Sequence, residues 1–299
     1  GGNTVAFSSN MVVVPEKRLG VVVLTNAAGE MDINYGIMKL VLGNPDPQVA
    51  VTSQQLPNTK EMEGTYITSR NSKSSFFEWI LGISSTLKVE SVNENEIKIS
   101  VYGMEGTYVQ TSPYFYELTS STPMLDPKIY FEMDGDKVKR VTTGQIADYL
   151  PLEWDRQIPW YYISLAIIAV SLFYFVITLV VMLISWLRNR KKADVKSGQK
   201  WHVWTTVLGA AFVLNNVLLL VRSISAMSTM SLHFADIKWQ ILLNWALLVA
   251  AAVCIVGSLL QWRVGQLTKG QKFVKYASLI MLLLLIVVLL NWNFFNVLA

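Results

Sequence analysis

Residues Ile163–Met182 have the sequence ISLAIIAVSLFYFVITLVVM, which contains no charged residue. A helix of roughly 20 apolar residues is long enough to cross the hydrocarbon core of a bilayer. Three further apolar stretches of this kind follow it toward the C-terminus, so the sequence predicts an α-helical transmembrane domain. The four predicted spans are 159–187, 201–221, 239–262 and 276–298.

The composition of the whole chain agrees with a membrane protein. Hydrophobic residues make up 52% of the sequence and charged residues only 15%, whereas a soluble domain carries roughly 25% charged residues. The net charge of +4 comes from basic residues that cluster beside the apolar stretches. We therefore expect the lipid bilayer as a partner and no nucleic acid.

The sequence contains few residues that could bind a metal ion through sulfur or imidazole, or form a disulfide. Cys254 is the single cysteine, and His202 and His233 are the only histidines. A disulfide within the chain is excluded, and a zinc or iron site is not expected from so few ligands. We predict no metal and no cofactor.

The loops between the predicted spans differ in charge. The second loop carries Arg222 and Lys238 with Asp236 and His233, and is close to balanced. The first and third loops are strongly basic, which predicts that they lie in the cytoplasm and that residues 1–158 lie outside. These basic residues are Arg188, Arg190, Lys191, Lys192, Lys196 and Lys200 in the first loop, and Arg263, Lys269, Lys272 and Lys275 in the third.

Polar residues inside the predicted spans are few. No Asp, Glu, Lys or Arg lies within them, and ionisable groups are the usual mark of an ion or proton path. The sequence therefore favours an anchor over a transporter. Asn215, Asn216 and Asn244 are predicted to form hydrogen bonds between helices. A stripe of small residues at four-residue spacing predicts close helix packing: Ala246, Ala250, Cys254 and Ser258.

The first 48 residues have the pattern of two strands and a helix. Residues 5–26 contain two runs rich in valine, which are typical of strands buried on both faces of a sheet. Residues 32–42 then follow an amphipathic helical pattern.

Residues 55–152 show short alternating segments separated by turn residues. This pattern predicts a small all-β barrel or sandwich, with a hairpin turn at 134–136 and one short helix within 74–81. Such a barrel can hold a ligand, although an interior filled by side chains is the commoner outcome.

Three segments carry a resemblance to a known family. GGNTVAFSSN at 1–10, VVPE at 13–16 and LGVVVLTN at 19–26 resemble the end of a serine β-lactamase-like domain, as in class C and penicillin-binding-protein-related hydrolases. EGTY at 63–66 is similar to the start of the lipocalin-like domain that follows the hydrolase in many members, and IPWY at 158–161 is similar to the lead-in to their four-helix membrane tail. The resemblance implies a multidomain chain: the remnant of an α/β serine β-lactamase-like domain at 1–48, a lipocalin-like β-domain at 55–152, and the membrane helices.

The resemblance also implies roles for the first three residues. Gly1 and Gly2 match the last two positions of the motif that opens the family's active-site strand. Asn3 matches the next position, whose backbone N–H helps to form the oxyanion hole that stabilises the tetrahedral intermediate. The family's Ser-x-x-Lys nucleophile motif lies upstream of this point, so we expect no catalytic residue in this chain and a missing N-terminal part. Ser8 and Ser9 are predicted to pack in a strand rather than to act as nucleophiles.

Two functions remain after this reasoning. The first is a membrane-bound serine hydrolase that acts outside the bacterial cytoplasmic membrane on peptide, amide or ester bonds, through an acyl-serine formed upstream. The second is a non-catalytic binding or sensor protein with a degenerate hydrolase domain. The presence or absence of an upstream Ser-x-x-Lys motif separates them.

Overall fold

The chain forms two compact units. The first consists of Gly1–Arg70 with Ser84–Leu152, and the second of Asn71–Ile83 with Glu153–Ala299. The predicted loop charges at 190–196 and at 263 lie outside the residues that the structure describes. This structure, a computed structural model, describes residues 1–4, 6–43, 56–119, 125–143, 148–188, 197–229, 233–260 and 269–296.

The first unit begins with a three-stranded antiparallel sheet. Strands β1 (Gly2–Asn3), β2 (Ser8–Val14) and β3 (Leu19–Thr25) lie in that order, and helix α1 (Asp32–Leu42) packs against β2 and β3. The second and third strands and the helix lie where the sequence predicts them. Gly43 ends the helix with a φ of 86°, which a residue with a side chain rarely adopts.

The expectation that these strands are buried on both faces is wrong for this structure. Because Met11 pairs with Val22, these two residues share one face of the sheet, and Val13 and Leu24 lie on the same face. Their exposed fractions are 61%, 59%, 60% and 75%. Helix α1 covers only the opposite face, and no other described element of the first unit packs on this one. A valine-rich run indicates a strand but does not specify which layers enclose it.

The rest of the first unit is a closed antiparallel barrel, which confirms the barrel alternative. Its strands follow one another around the barrel, and the last strand pairs with the first. In chain order they are β4 (Gly64–Thr68), β5 (Thr86–Ser91), β6 (Glu96–Val101), β7 (Met104–Ser112), β8 (Phe115–Leu118), β9 (Lys128–Asp134), β10 (Lys137–Thr142) and β11 (Tyr149–Pro151).

Alternation along each barrel strand fills the interior with side chains. In β6, Ile97 and Ile99 point inward and are fully buried, whereas their neighbours are partly exposed. The predicted hairpin turn is present: Asp134 pairs with Lys137, and Gly135 in the turn has a φ of 61°. The other large buried side chains of this core include Tyr66, Leu87, Tyr108, Tyr116, Ile129 and Phe131.

Four long helices dominate the second unit, and each is long and apolar enough to cross a membrane. Pro159 lies in the first turn of α3, where its missing N–H disrupts no helical hydrogen bond. The protein is thus a membrane protein with a four-helix domain. The helices are α3 (Ile158–Arg188), α4 (Ser197–Ser228), α5 (Phe234–Leu260) and α6 (Lys269–Asn291).

The sixth helix begins earlier than the charge-free stretch. Lys269, Lys272 and Lys275 belong to α6, although the sequence places them in a loop. Lys275 is only 4% exposed, and its Nζ donates to the backbone oxygen of Ser258 at 3.2 Å. That carbonyl belongs to α5, close to the end of its described range at Leu260. The lysine side chain therefore joins α6 to the neighbouring helix.

One segment of the second unit comes from between two barrel strands. Residues Asn71–Ile83, here called the strap, follow β4 and precede β5, yet they pack with the membrane helices. The strap contains the short helix α2 (Phe77–Leu81), which falls within the predicted helical region. Phe76 and Trp79 are buried in the same apolar core as the long helices.

Candidate functional site

The glycine strand that the sequence singles out forms an exposed edge. Gly2 pairs with Ser9 and Asn3 with Ser8, while the other side of β1 has no partner strand among the described residues. Gly1, Gly2 and Asn3 are all exposed. A Cβ on Gly1 would lie 2.8 Å from the backbone oxygen of Ser9, whereas a Cβ on Gly2 would meet nothing within 4 Å. The sheet itself therefore requires a glycine at position 1, and the space beside Gly2 is open.

The two serines beside this strand have structural partners. The Oγ of Ser8 donates to the backbone oxygen of Ala27 at 2.8 Å and accepts from the backbone N–H of Glu30 at 3.0 Å. The Oγ of Ser9 donates to the backbone oxygen of Gly2 at 3.3 Å. Ser8 thus ties β2 to the turn before α1, and Ser9 ties the edge strand to the sheet. These contacts agree with the packing role predicted for both residues.

Glu30 fixes the start of α1, a role that sequence reasoning missed. Its Oε1 accepts from the N–H of Ile33 at 2.6 Å and its Oε2 from the N–H of Asn34 at 3.1 Å. These N–H groups have no acceptor within the first turn, and the helix dipole favours a carboxylate there. The sequence feature that could have indicated this role is an acidic residue directly before an amphipathic segment.

The phenols of the barrel interior are satisfied mainly by the barrel backbone. The hydroxyl of Tyr66 donates to the backbone oxygen of Met62 at 2.8 Å, and that of Tyr108 donates to the backbone oxygen of Asp126 at 2.8 Å. Burial raises the pKa of Tyr66 to about 12. The Tyr116 hydroxyl is buried without a partner among the described residues. This interior is a packed core more than a binding cavity.

The three asparagines of the membrane helices meet in one cluster. The Oδ1 of Asn244 accepts from the side-chain amides of Asn215 and Asn216, each at 2.9 Å. Its Nδ2 donates to Asn216 Oδ1 at 2.9 Å and to the backbone oxygen of Phe294 at 3.0 Å. The prediction of hydrogen bonds between helices is confirmed, and the cluster joins α4, α5 and the segment after α6.

The predicted stripe of small residues is only partly buried. Cys254 and Ser258 lie inside the bundle, but Ala246 is exposed. A strict four-residue spacing drifts around a helix of 3.6 residues per turn, so one end of the stripe leaves the interface. The buried face of α5 instead follows Ile237, Ile241, Asn244, Leu247, Ala251, Cys254 and Ser258.

A buried ion pair holds the strap, and the sequence did not indicate it. Arg156 Nε donates to Glu78 Oε1 at 3.1 Å, and the two side chains are 16% and 7% exposed. The guanidinium also donates to Asp155 Oδ2 at 2.7 Å and to the backbone oxygen of Asn291 at 2.8 Å. Its carbon lies 4.6 Å from the ring centre of Trp292, within cation–π range. Arg156 therefore connects the strap, the start of α3 and the end of α6.

Comparison with known proteins adds no assignment to these sites. Among the described residues, no three His, Cys, Asp or Glu side chains come together to hold a metal. No protein family, curated protein or solved structure matches the chain.

Proposed function

We propose that this chain is the C-terminal part of a membrane-anchored serine hydrolase of the β-lactamase and penicillin-binding-protein type. The longer protein, called the parent below, acts outside the bacterial cytoplasmic membrane on peptide, amide or ester bonds. Its upstream part supplies the nucleophilic serine, and this chain supplies an active-site strand and the anchor.

The uncovered apolar face of the β1–β3 sheet is the observation that carries the proposal. Met11, Val13, Val22 and Leu24 form a continuous exposed face. Apolar patches of this kind mark surfaces that another element covers, and an α/β domain places layers on both faces of its sheet. In the proposal, the upstream part of the hydrolase domain covers these four residues.

The position of the glycine strand supports the same proposal. Gly1–Asn3 lies at the edge of the sheet, with the space beside Gly2 open. An acyl substrate must approach such a strand closely, which a glycine permits. The backbone N–H of Asn3 then contributes to the oxyanion hole, where it stabilises the charge that develops on the carbonyl oxygen.

The charges of the four-helix domain support an anchor with the catalytic part outside. Arg188 ends α3, Lys200 lies near the start of α4, and Lys269 begins α6. These three helix ends belong to one side of the membrane if every helix spans it. By the positive-inside rule, that side is the cytoplasm.

Acylation of the purified parent tests the chemistry. The parent in detergent is mixed with a fluorescent penicillin and, separately, with a fluorescent fluorophosphonate, and the adduct is mapped by peptide mass spectrometry. We expect one adduct, on the serine of an upstream Ser-x-x-Lys motif, and none after that serine is changed to alanine. A folded parent that forms no adduct with either probe contradicts the proposal.

The strap favours a second candidate, a sensor with a degenerate hydrolase domain. A segment that lies between two barrel strands in sequence packs with the membrane helices and forms a buried ion pair with Arg156, just before α3. Such a connection suits the transfer of a signal into the membrane. A parent without the Ser-x-x-Lys motif supports this candidate and removes the hydrolase.

A further inference from the structure

Glu78 is a carboxylate in an unusual position for a surface segment. It lies in the strap, its side chain is 7% exposed, and only one of its two oxygens has a partner among the described residues. A buried charged oxygen without a hydrogen bond destabilises the docked strap. Protonation removes that charge.

Arg156, the ion-pair partner of Glu78, is also held in position by other contacts. Arg156 also donates to the carboxylate of Asp155 and to the backbone oxygen of Asn291, and it stacks on Trp292. When Glu78 becomes neutral, the guanidinium therefore keeps an anionic partner and its place in the helix bundle. Loss of the Glu78 charge does not leave a buried cation unpaired.

The remaining contacts of the strap do not involve Glu78. Phe76 packs on Phe294 with ring centres 5.4 Å apart, and Trp79 stacks on Tyr161 at 5.2 Å. The side-chain amide of Asn293 donates to the backbone oxygen of Lys73 at 3.1 Å. A neutral Glu78 thus leaves the apolar and amide contacts of the docked strap in place.

We propose that the strap is a pH-sensitive latch, in which protonation of Glu78 tightens the docking of Asn71–Ile83 on the helix bundle. The two ends of the strap continue into β4 and β5, so the latch links the barrel strands to the membrane domain through the chain itself. The inference does not depend on the hydrolase proposal, because it concerns only residues of this chain.

The charges around Glu78 set the direction of the effect. Burial raises the pKa of Glu78, and this outweighs the opposing attraction of Arg156; Glu153 raises the pKa further, and Lys73 lowers it. Asp155 faces the same guanidinium. A carboxyl group with a raised pKa in the docked state binds more protons there than in the released state. Docking therefore becomes stronger as the pH falls through this range.

Thiol labelling of the full chain in lipid vesicles tests the latch. Cys254 is changed to serine, and Ser75, which is 2% exposed in the docked strap, is changed to cysteine. The matched control is Ser74→Cys, at an exposed position beside it. The labelling rate at position 75 divided by the rate at position 74 measures release of the strap, because the ratio corrects for the pH dependence of the thiol reaction.

We expect this ratio to fall by about threefold or more between about pH 8 and about pH 5. In Glu78→Gln, which keeps an acceptor for Arg156 without a charge, the ratio should stay at the low value across this range. In Arg156→Gln, which removes the opposing attraction, the fall should be larger. A ratio that does not change with pH, or that falls equally in Glu78→Gln, overturns the proposal.

Discussion

At the scale of single residues, Asn244 is the centre of a hydrogen-bond cluster inside the helix bundle. It is fully buried and exchanges hydrogen bonds with Asn216, while it also accepts from Asn215 and donates to the backbone of Phe294. In a bundle that lies in lipid, no water replaces these partners. One side chain therefore fixes the relative positions of three segments.

Asn244→Leu should lower the free energy of unfolding in detergent by about 1–3 kcal/mol, because it leaves several buried amide groups without partners. Titration with sodium dodecyl sulfate, followed by circular dichroism, measures the change. The control is Val253→Ala, on the same helix at a position that is 58% exposed, where we expect less than about 0.5 kcal/mol. Equal effects of the two substitutions would argue against the asparagine cluster.

The stability of the barrel depends on pH through the ionisation of Tyr66. Burial raises its pKa from 10.0 to about 12, so the folded barrel favours the neutral phenol. Its contribution to stability is complete below about pH 10 and is lost as the pH rises toward 12, a total of about 3 kcal/mol. Urea unfolding of the full chain at several alkaline pH values should show a shallower decline for Tyr66→Phe than for the wild type. Identical pH profiles would contradict this assignment.

At the scale of elements, helix packing depends on a glycine. A Cβ on Gly209 of α4 would lie 2.3 Å from the ring of Phe175 on α3, and that ring is fully buried. The glycine therefore permits the close approach of the two helices. An overpacked contact of this kind costs about 1–3 kcal/mol.

Gly209→Ala should lower the thermal unfolding temperature, and Phe175→Leu in the same chain should restore part of the loss. Gly270→Ala on α6 is the control, since its Cβ would meet nothing within 4 Å. There the better helix propensity of alanine should be neutral or stabilising by up to about 1 kcal/mol. A destabilisation as large at position 270 as at 209 would show that the effect is not one of packing.

The sequence predicted elements best where the physical signal is local. The four spans follow from the absence of charge, and the all-β character of residues 55–152 follows from the alternating segments. Strand β7 (Met104–Ser112) lies within this all-β region, but its own sequence, MEGTYVQTS, mixes a glycine with polar residues and has no clear alternation to mark it. The early start of α6 was missed because Lys275 finds its partner on another helix.

The sites were harder to predict than the elements because their contacts are distant in sequence. Gly1–Asn3 could be predicted because they resemble a family motif, and Asn215, Asn216 and Asn244 because they are polar residues within apolar spans. The pairing of Glu78 with Arg156 joins positions separated by 78 residues, and no local pattern marks it. The uncovered face of the β1–β3 sheet also appears only when the position of α1 is known.

At the scale of the whole molecule, the proposal predicts that Leu24 is exposed here and buried in the parent. Leu24→Glu in this chain should change the free energy of unfolding by less than about 0.5 kcal/mol, since the side chain is 75% exposed. In the parent, the same substitution places a charge under a covering layer and should destabilise the hydrolase domain by several kcal/mol. Thermal unfolding of both proteins measures the difference.

The matched control for this comparison is Val92→Glu, in the turn between β5 and β6, where the side chain is 54% exposed. We expect a small change in both proteins there. If Leu24→Glu is as harmless in the parent as Val92→Glu, then no upstream layer covers the sheet, and the main support for the hydrolase proposal is lost.

We propose that the four helices present an acyl-serine enzyme on the outer side of the membrane. The decisive experiment applies a membrane-impermeant fluorescent penicillin or phosphonate to the parent in sealed, right-side-out vesicles. We expect one covalent adduct, on a serine upstream of Gly1, that forms at the same rate before and after the vesicles are permeabilised. A folded parent that is never labelled, or that is labelled only after permeabilisation, would contradict it.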